Sequence, residues 1–261
     1  MNPETATIVN EEFAYDFTGN KHDYYIKVND EWKKGTGVTT ILSETLPKPL
    51  TWWAAGMALE NLGWRNKKQA SKEELWKYAG EAREYISELS NEDYADLLQE
   101  CYARHNTFKN ERAKEGTDTH KELELWLQSC IDQKTLLKPV LSELEPIYNW
   151  AVENEVTFLA TEIPLYDKDL FVCGTADILF EIDGKKYIGD LKTGKGIYLS
   201  YKIQLSAYSK MIKEDIYGFT ILRLNKDFEE YTLRGEALKE LGQVFENLVY
   251  QYRIQKKYGD N

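Results

Sequence analysis

Asp190 and Lys192 stand two apart in Ile188-Gly189-Asp190-Leu191-Lys192, and on a strand that spacing turns both side chains to one face. Apolar, β-rich residues run from Leu170 to Ile182. Asp183-Gly184 then offers a two-residue turn, and Lys186 to Leu191 returns, so the segment reads as a β-hairpin. Asp177 falls on the partner strand, near enough to bring a second carboxylate to the same place. A helix is expected from about Ser200, with Gln204 and Tyr208 four apart on one face. Two carboxylates beside a lysine suit the hydrolysis of a phosphodiester. Hard oxygen ligands hold Mg²⁺ or Mn²⁺, which polarises phosphate and acidifies water. The ammonium can orient that water or offset charge building on the phosphate. Asp-x-Lys alone also describes a structural pair in a buried strand, because so short a pattern recurs by chance. The ordered set of Gly-x-x-Asp, turn, Asp-x-Lys and Gln-x-x-x-Tyr is far more specific.

Gly174-Thr175-Ala176-Asp177, Asp190-Leu191-Lys192-Thr193 and Gln204-Leu205-Ser206-Ala207-Tyr208 resemble the RecB-type branch of the PD-(D/E)XK nucleases. Within that branch the chain is most similar to small stand-alone exonucleases of phages and of mitochondrial genome maintenance. The resemblance implies an α/β fold of restriction-endonuclease type, a mixed sheet flanked by helices with a helical N-terminal insertion. It implies that Asp177, Asp190 and His120 hold the metal, with the Leu191 carbonyl as a further oxygen ligand, and that Lys192 positions the attacking water. Glu162 would approach the metal or its water shell. Thr193 and Lys195 would touch the DNA backbone, while Gln204 and Tyr208 brace the lysine and the nearby phosphate. The function implied is a divalent-metal-dependent DNA exonuclease serving recombination, repair or replication of a phage-like element. A structure-selective or restriction-type endonuclease is the alternative, and a DNA-binding subunit acting with a helicase or annealing protein is a third reading. Some relatives carry a four-cysteine iron–sulfur cluster. Three cysteines, Cys101, Cys130 and Cys173, are too few to build one alone.

The elements that must position these groups can be read in outline. One domain over residues 1–261 is expected: strands and a loop over 1–50, helices over 51–154, and the α/β core over 155–261. Tyr24 to Val28 reads as a strand before an Asn29-Asp30 turn. Pro47 and Pro49 enforce an extended entry to a helix that Thr51 caps and that ends near Gly63. Arg65, Lys67 and Lys68 read as a solvated loop that could also meet DNA. Ser71-Lys72-Glu73-Glu74 is a capping box, and Ser90 with Asp93 starts another helix. Leu75, Tyr78, Ala82, Tyr85 and Leu89 keep the spacing of one buried stripe. The next helix is led in by Gly116-Thr117. His120 precedes Leu123, Leu127 and Ile131 by three, seven and eleven residues, which places it on the core side. Pro139 suits the first turn of a helix to about Asn154, which Pro146 would kink. Thr157 to Tyr166 reads as a strand, an edge strand if Pro164 is its mark. Tyr217 to Leu224 and Phe228 to Leu233 form a second hairpin, and a helix from Gly235 to about Lys257 buries Leu238, Leu241, Phe245, Leu248 and Tyr252.

A net charge of −11 argues against nucleic-acid binding over the whole surface. The balance is local, with six lysines and two acids between Asp183 and Lys210. Trp52, Trp53, Tyr198 and Tyr201 are candidates to stack on unpaired bases. Together with the resemblance, these features make DNA that is single-stranded or has free ends the expected partner, drawn into a basic passage, and the resemblance implies a recombination or replication protein beside it. Scattered cysteines without a C-x-x-C pattern fit a reducing cytoplasm, or a host's cytoplasm for a phage protein. No apolar run approaches the ~20 residues of a membrane span.

Overall fold

The computed structural model describes residues 6–18, 22–46, 50–64 and 70–259, and for 112–117 the main chain alone. The expectations for Pro47, Lys48, Pro49, Arg65, Lys67 and Lys68, and for the Gly116-Thr117 side chains, lie outside the described residues. The fold is mixed α/β. Its chain divides into two compact units, Met1–Pro47 with Thr119–Asn261, and Lys48–Asp118.

The first unit opens with strands β1 (Thr7–Ile8), β2 (Phe13–Asp16), β3 (Asp23–Val28) and β4 (Glu31–Lys34), an antiparallel sheet in that order. Asn29 and Asp30 both take positive φ, 51° and 62°, the conformation a two-residue hairpin turn requires. Short β5 (Thr36–Gly37) leads into helix α1 (Val38–Thr45), which buries Val38, Ile41 and Leu42. The sequence reading did not anticipate this helix.

Helices α2 (Thr51–Asn61) and α3 (Lys72–Ser87) belong to the second unit, and α4 (Asn91–Gln133) begins in it. Both reciprocal bonds of the Ser71–Glu74 capping box form. Within this unit Leu97 and Cys101 are buried, and Trp53 lies 5.9 Å from Phe108. The α3 stripe is half-buried, and Ile86 joins it in place of Tyr85, which is exposed. Trp52 and Trp76 also face solvent, 88% and 65% exposed. Gly116 does not divide the helix; α4 is continuous through it, since a mid-helix glycine costs about 1 kcal/mol and tertiary context can override that.

The first unit resumes with the end of α4, then α5 (Glu145–Glu153). Pro146 starts α5 rather than kinking a longer helix, because its missing N–H falls where no intrahelical bond is made. Pro139 lies in the connecting loop. Strands β6 (Thr157–Asp167), β7 (Val172–Ile182) and β8 (Lys185–Lys192), helix α6 (Leu199–Met211), strands β9 (Gly218–Leu224) and β10 (Phe228–Arg234), and helix α7 (Glu236–Tyr258) complete the chain. The mixed sheet runs β10-β9-β8-β7, with β8 and β9 parallel and β7 and β8 antiparallel. β7 also pairs with β5 and, along its length, with β6. β6 is thus an edge strand, in keeping with Pro164 as an edge mark. One core joins α1, α6 and α7 to the sheet through Ile188, Ile203, Phe219 and Phe245. The other joins the end of α4 and α5 through Leu127, Ile147, Trp150, Phe180 and Leu222. Trp150 packs edge-on to Phe180 with its indole nitrogen buried and unpartnered. Among the described residues no helix is long and apolar enough to cross a membrane.

Candidate active site

The Asp183-Gly184 turn, with φ 50° and 71°, sets the register that brings β7 and β8 together. That register pairs Ile178 with Gly189, so the next step along places Asp177 opposite Asp190. Asp190 is 1% exposed. The Lys192 amine lies 2.8 Å from its Oδ1 in hydrogen-bond geometry and 2.7 Å from its Oδ2. The second approach is an ion pair without a well-angled hydrogen bond, so Oδ2 is buried with the ammonium as its charged partner but no hydrogen bond. Burial pushes the Asp190 carboxyl up to about 7, with Lys192 holding it down and Asp177 adding to the rise. Burial opposes the charge on Lys192 as well, but Asp190 and Asp177 outweigh it and the amine is pushed up. These two shifts pull opposite ways over where the proton sits. The geometry favours ammonium and carboxylate, because the amine touches both oxygens and also stands 4.9 Å over the Tyr201 ring.

Asp177 Oδ2 accepts the Leu191 N–H at 3.0 Å and lies 3.5 Å from Nδ1 of His120. α4 therefore delivers its histidine to the hairpin. Burial lowers the His120 pKa; Asp177 raises it, Lys192 lowers it further, and a hydrogen bond with the Leu191 main chain raises it. The net fall favours the neutral imidazole that metal ligation requires.

Glu162 sits on β6 with φ 49°, a left-handed conformation for a non-glycine residue. Its carboxyl is pushed up to about 7 by desolvation and then by Asp177, Glu124 and Asp190. The residue as a whole is exposed, so solvent also reaches it from the strand edge. Glu124, which the sequence analysis does not single out, stands one turn after His120 on α4, and the four-residue spacing puts the two on one helix face.

Gln204 and Tyr208 are both buried; Gln204 Nε2 donates to Tyr208 Oη at 3.3 Å. A Cβ on Gly174 would come within 2.3 Å of the Tyr208 ring, which is why glycine opens that motif. Thr193 is half-buried and its carbonyl accepts from Asn225 Nδ2 at 2.6 Å, while Lys195 is exposed in the following loop. Four further residues escaped the sequence reading. Tyr201 was read as a stacking candidate but lies under the Lys192 amine. Tyr24 shares a hydrogen bond with Thr175 at 2.9 Å. Asn225 holds Thr193, and Thr161 Oγ1 donates to the Asp177 carbonyl at 2.9 Å. All but Tyr201 act across long sequence separations that no local pattern reports.

Carboxylates, an imidazole and a main-chain carbonyl, with no thiolate, form a donor set suited to Mg²⁺ or Mn²⁺. The buried Asp190 Oδ2, ion-paired with Lys192 but without a hydrogen bond, has a lone pair to offer a cation. Among the described residues no three His, Cys, Asp or Glu side chains close into a metal cluster.

No family model matches the chain, and no curated protein matches it. A solved structure titled "Crystal structure of SSO0001" is similar over 44% of this chain and 57% of that chain, at 17% identity and a TM-score of 0.30. The chain thus spans little more than half the length of that structure, and a likeness so slight bears on neither fold family nor function.

Proposed function

We propose that the protein is a divalent-metal-dependent DNA exonuclease, with the PD-(D/E)XK arrangement its motifs resemble. The observation that carries this reading is the meeting of His120, Asp177, Asp190 and Lys192 from α4, β7 and β8, with Asp190 buried against the lysine. Asp177, Asp190, His120 and the Leu191 carbonyl would hold Mg²⁺ or Mn²⁺. The cation, when bound, polarises the scissile phosphate and acidifies a water. Lys192 keeps its proton at Nζ, orients the attacking water through one N–H and offsets charge on a phosphoryl oxygen through another. Asp190 and the Tyr201 ring hold that amine in place. Glu162 and Glu124 lie where they favour a cation over a second anion. Thr193 and Lys195 would meet the DNA backbone. Gln204 and Tyr208 would brace the lysine and the nearby phosphate.

The test compares end-labelled linear with covalently closed DNA, single- and double-stranded, in Mg²⁺, Mn²⁺ or EDTA. Progressive shortening of linear strands with the metals, and none in EDTA, is expected. Efficient nicking of closed single-stranded circles would replace the exonuclease with an endonuclease. No cleavage of any DNA in either metal would overturn the catalytic reading.

A further inference from the structure

The β6–β7 ladder has a gap at the site. Thr161 pairs with Ile178 and Ile163 with Ala176, but the Glu162–Asp177 step between them makes no bridge. Glu162, at φ 49°, is turned out of the extended conformation there. The partner strand changes allegiance at the same place: Ile178 belongs to the core under α5, and Ala176, two residues back, to the core under α6. Residues two apart on a regular strand share one face, so β7 twists sharply across Asp177. A missing ladder step leaves main-chain groups that need other partners. The Thr161 hydroxyl supplies one by donating to the Asp177 carbonyl. On its other side the Asp177 carboxylate accepts the Leu191 N–H.

We propose that Thr161 is a positioning residue for the metal site, holding Asp177 at the twist so that its carboxylate faces Asp190 and His120. The inference rests on the proposed function, since it concerns the cation those residues would hold. Strain confined to one residue beside a set of converging charges is a recurrent mark of such sites. Here the hydroxyl makes the bent main chain a defined state: without it the Asp177 carbonyl is free to turn, and the attached carboxylate turns with it. A ladder bond could not substitute, because restoring the step would draw Glu162 back into the strand and straighten β7. Groups that orient metal ligands typically change metal affinity by 10–100-fold when removed.

Thr161→Val keeps the shape and removes the hydroxyl, Thr161→Ala removes it without adding bulk in the bend, and Thr161→Ser retains it. The readout is Mn²⁺ binding by titration calorimetry, with unfolding temperature in EDTA measured on the same proteins. Both hydroxyl-free variants should bind Mn²⁺ about tenfold more weakly or worse, and Thr161→Ser should bind as the unaltered protein does. A lower unfolding temperature with unchanged Mn²⁺ affinity in the Val or Ala protein would make the bond merely structural and overturn the proposal. Failure of the unaltered protein to bind Mn²⁺ would instead overturn the reading of the metal site itself, and this proposal with it.

Discussion

Lys192 separates chemistry from binding. Its amine acts on water and the reacting phosphate but is one cation among several near the strand. Lys192→Ala should lower single-turnover cleavage by about 10²-fold or more, while DNA affinity changes by about one phosphate contact. A collapse of affinity with an unchanged rate on saturating DNA would make it a docking residue. Asp190 calls for a gentler substitution than alanine, because the structure buries it against that ammonium. Removing one partner of a buried pair strands the other, so Asp190→Asn is the cleaner loss of the metal ligand. Glu162 makes a separate prediction about pH. Its carboxyl rises in the folded protein from the ordinary 4.5 to about 7, so the folded state holds a proton that the unfolded chain has released. The stability this confers is full below about 4.5 and is lost as pH rises through about 7. In EDTA the unfolding temperature should therefore decline across that interval, and Glu162→Gln should flatten the decline. Solvent at the exposed side chain keeps the effect small. An identical slope in the Gln protein would show that other groups set it.

At the scale of elements, the approach of α6 to β7 depends on Gly174. Alanine there would drive a methyl into the Tyr208 ring, and overpacking of this kind costs about 1–3 kcal/mol. Gly174→Ala should lower the denaturation midpoint and, by tilting Tyr208 and Gln204, weaken catalysis; unchanged stability would mean that the helix can yield. The central hairpin, the capping box, α7 and the edge character of β6 were legible because each rests on local chemistry: paired positive-φ turn residues, a reciprocal cap, periodic apolar residues, a proline. Asp177, Asp190 and Lys192 converge for the same reason, since a two-residue turn fixes their register. What escaped was decided elsewhere. Helix α1 forms at Val-Thr-Thr-Ile-Leu, a β-rich run, because Val38, Ile41 and Leu42 find a core against α6 and α7. Pro146 reads equally well as a kink or a start, and only the neighbouring loop decides. The Thr161 and Asn225 bonds span 16 and 32 residues, beyond any motif's reach.

For the whole molecule the balance of charge is decisive. Of the six lysines between Asp183 and Lys210, Lys186 pairs with Glu214, Lys192 with Asp190 and Lys210 with Glu246. Among the described residues the remaining three, Lys185, Lys195 and Lys202, have no carboxylate partner, although Lys185 and Lys202 rest on the rings of Tyr217 and Tyr231. The basic segment is therefore milder than its composition. If these three meet phosphates, the logarithm of affinity for single-stranded DNA should fall against the logarithm of salt with a slope of about −2. A slope steeper than about −5 would show that DNA also rests on cations elsewhere in a chain whose net charge is −11.

The seven tryptophans divide three and four between the two units but differ in their exposure. Trp126 and Trp150 lie in the core of the Thr119–Asn261 part, 8% and 4% exposed, whereas Trp52 and Trp76 of the 48–118 unit face water. Indoles in apolar surroundings fluoresce to the blue and hydrated indoles to the red, so the protein carries a two-colour optical label of its own. Acrylamide should quench the red component first and spare the blue. During a denaturant titration the blue signal follows the unit that holds the site, and the red signal follows the helices. Coincident curves would report a single cooperative transition, and separated curves two folding units read from one emission spectrum.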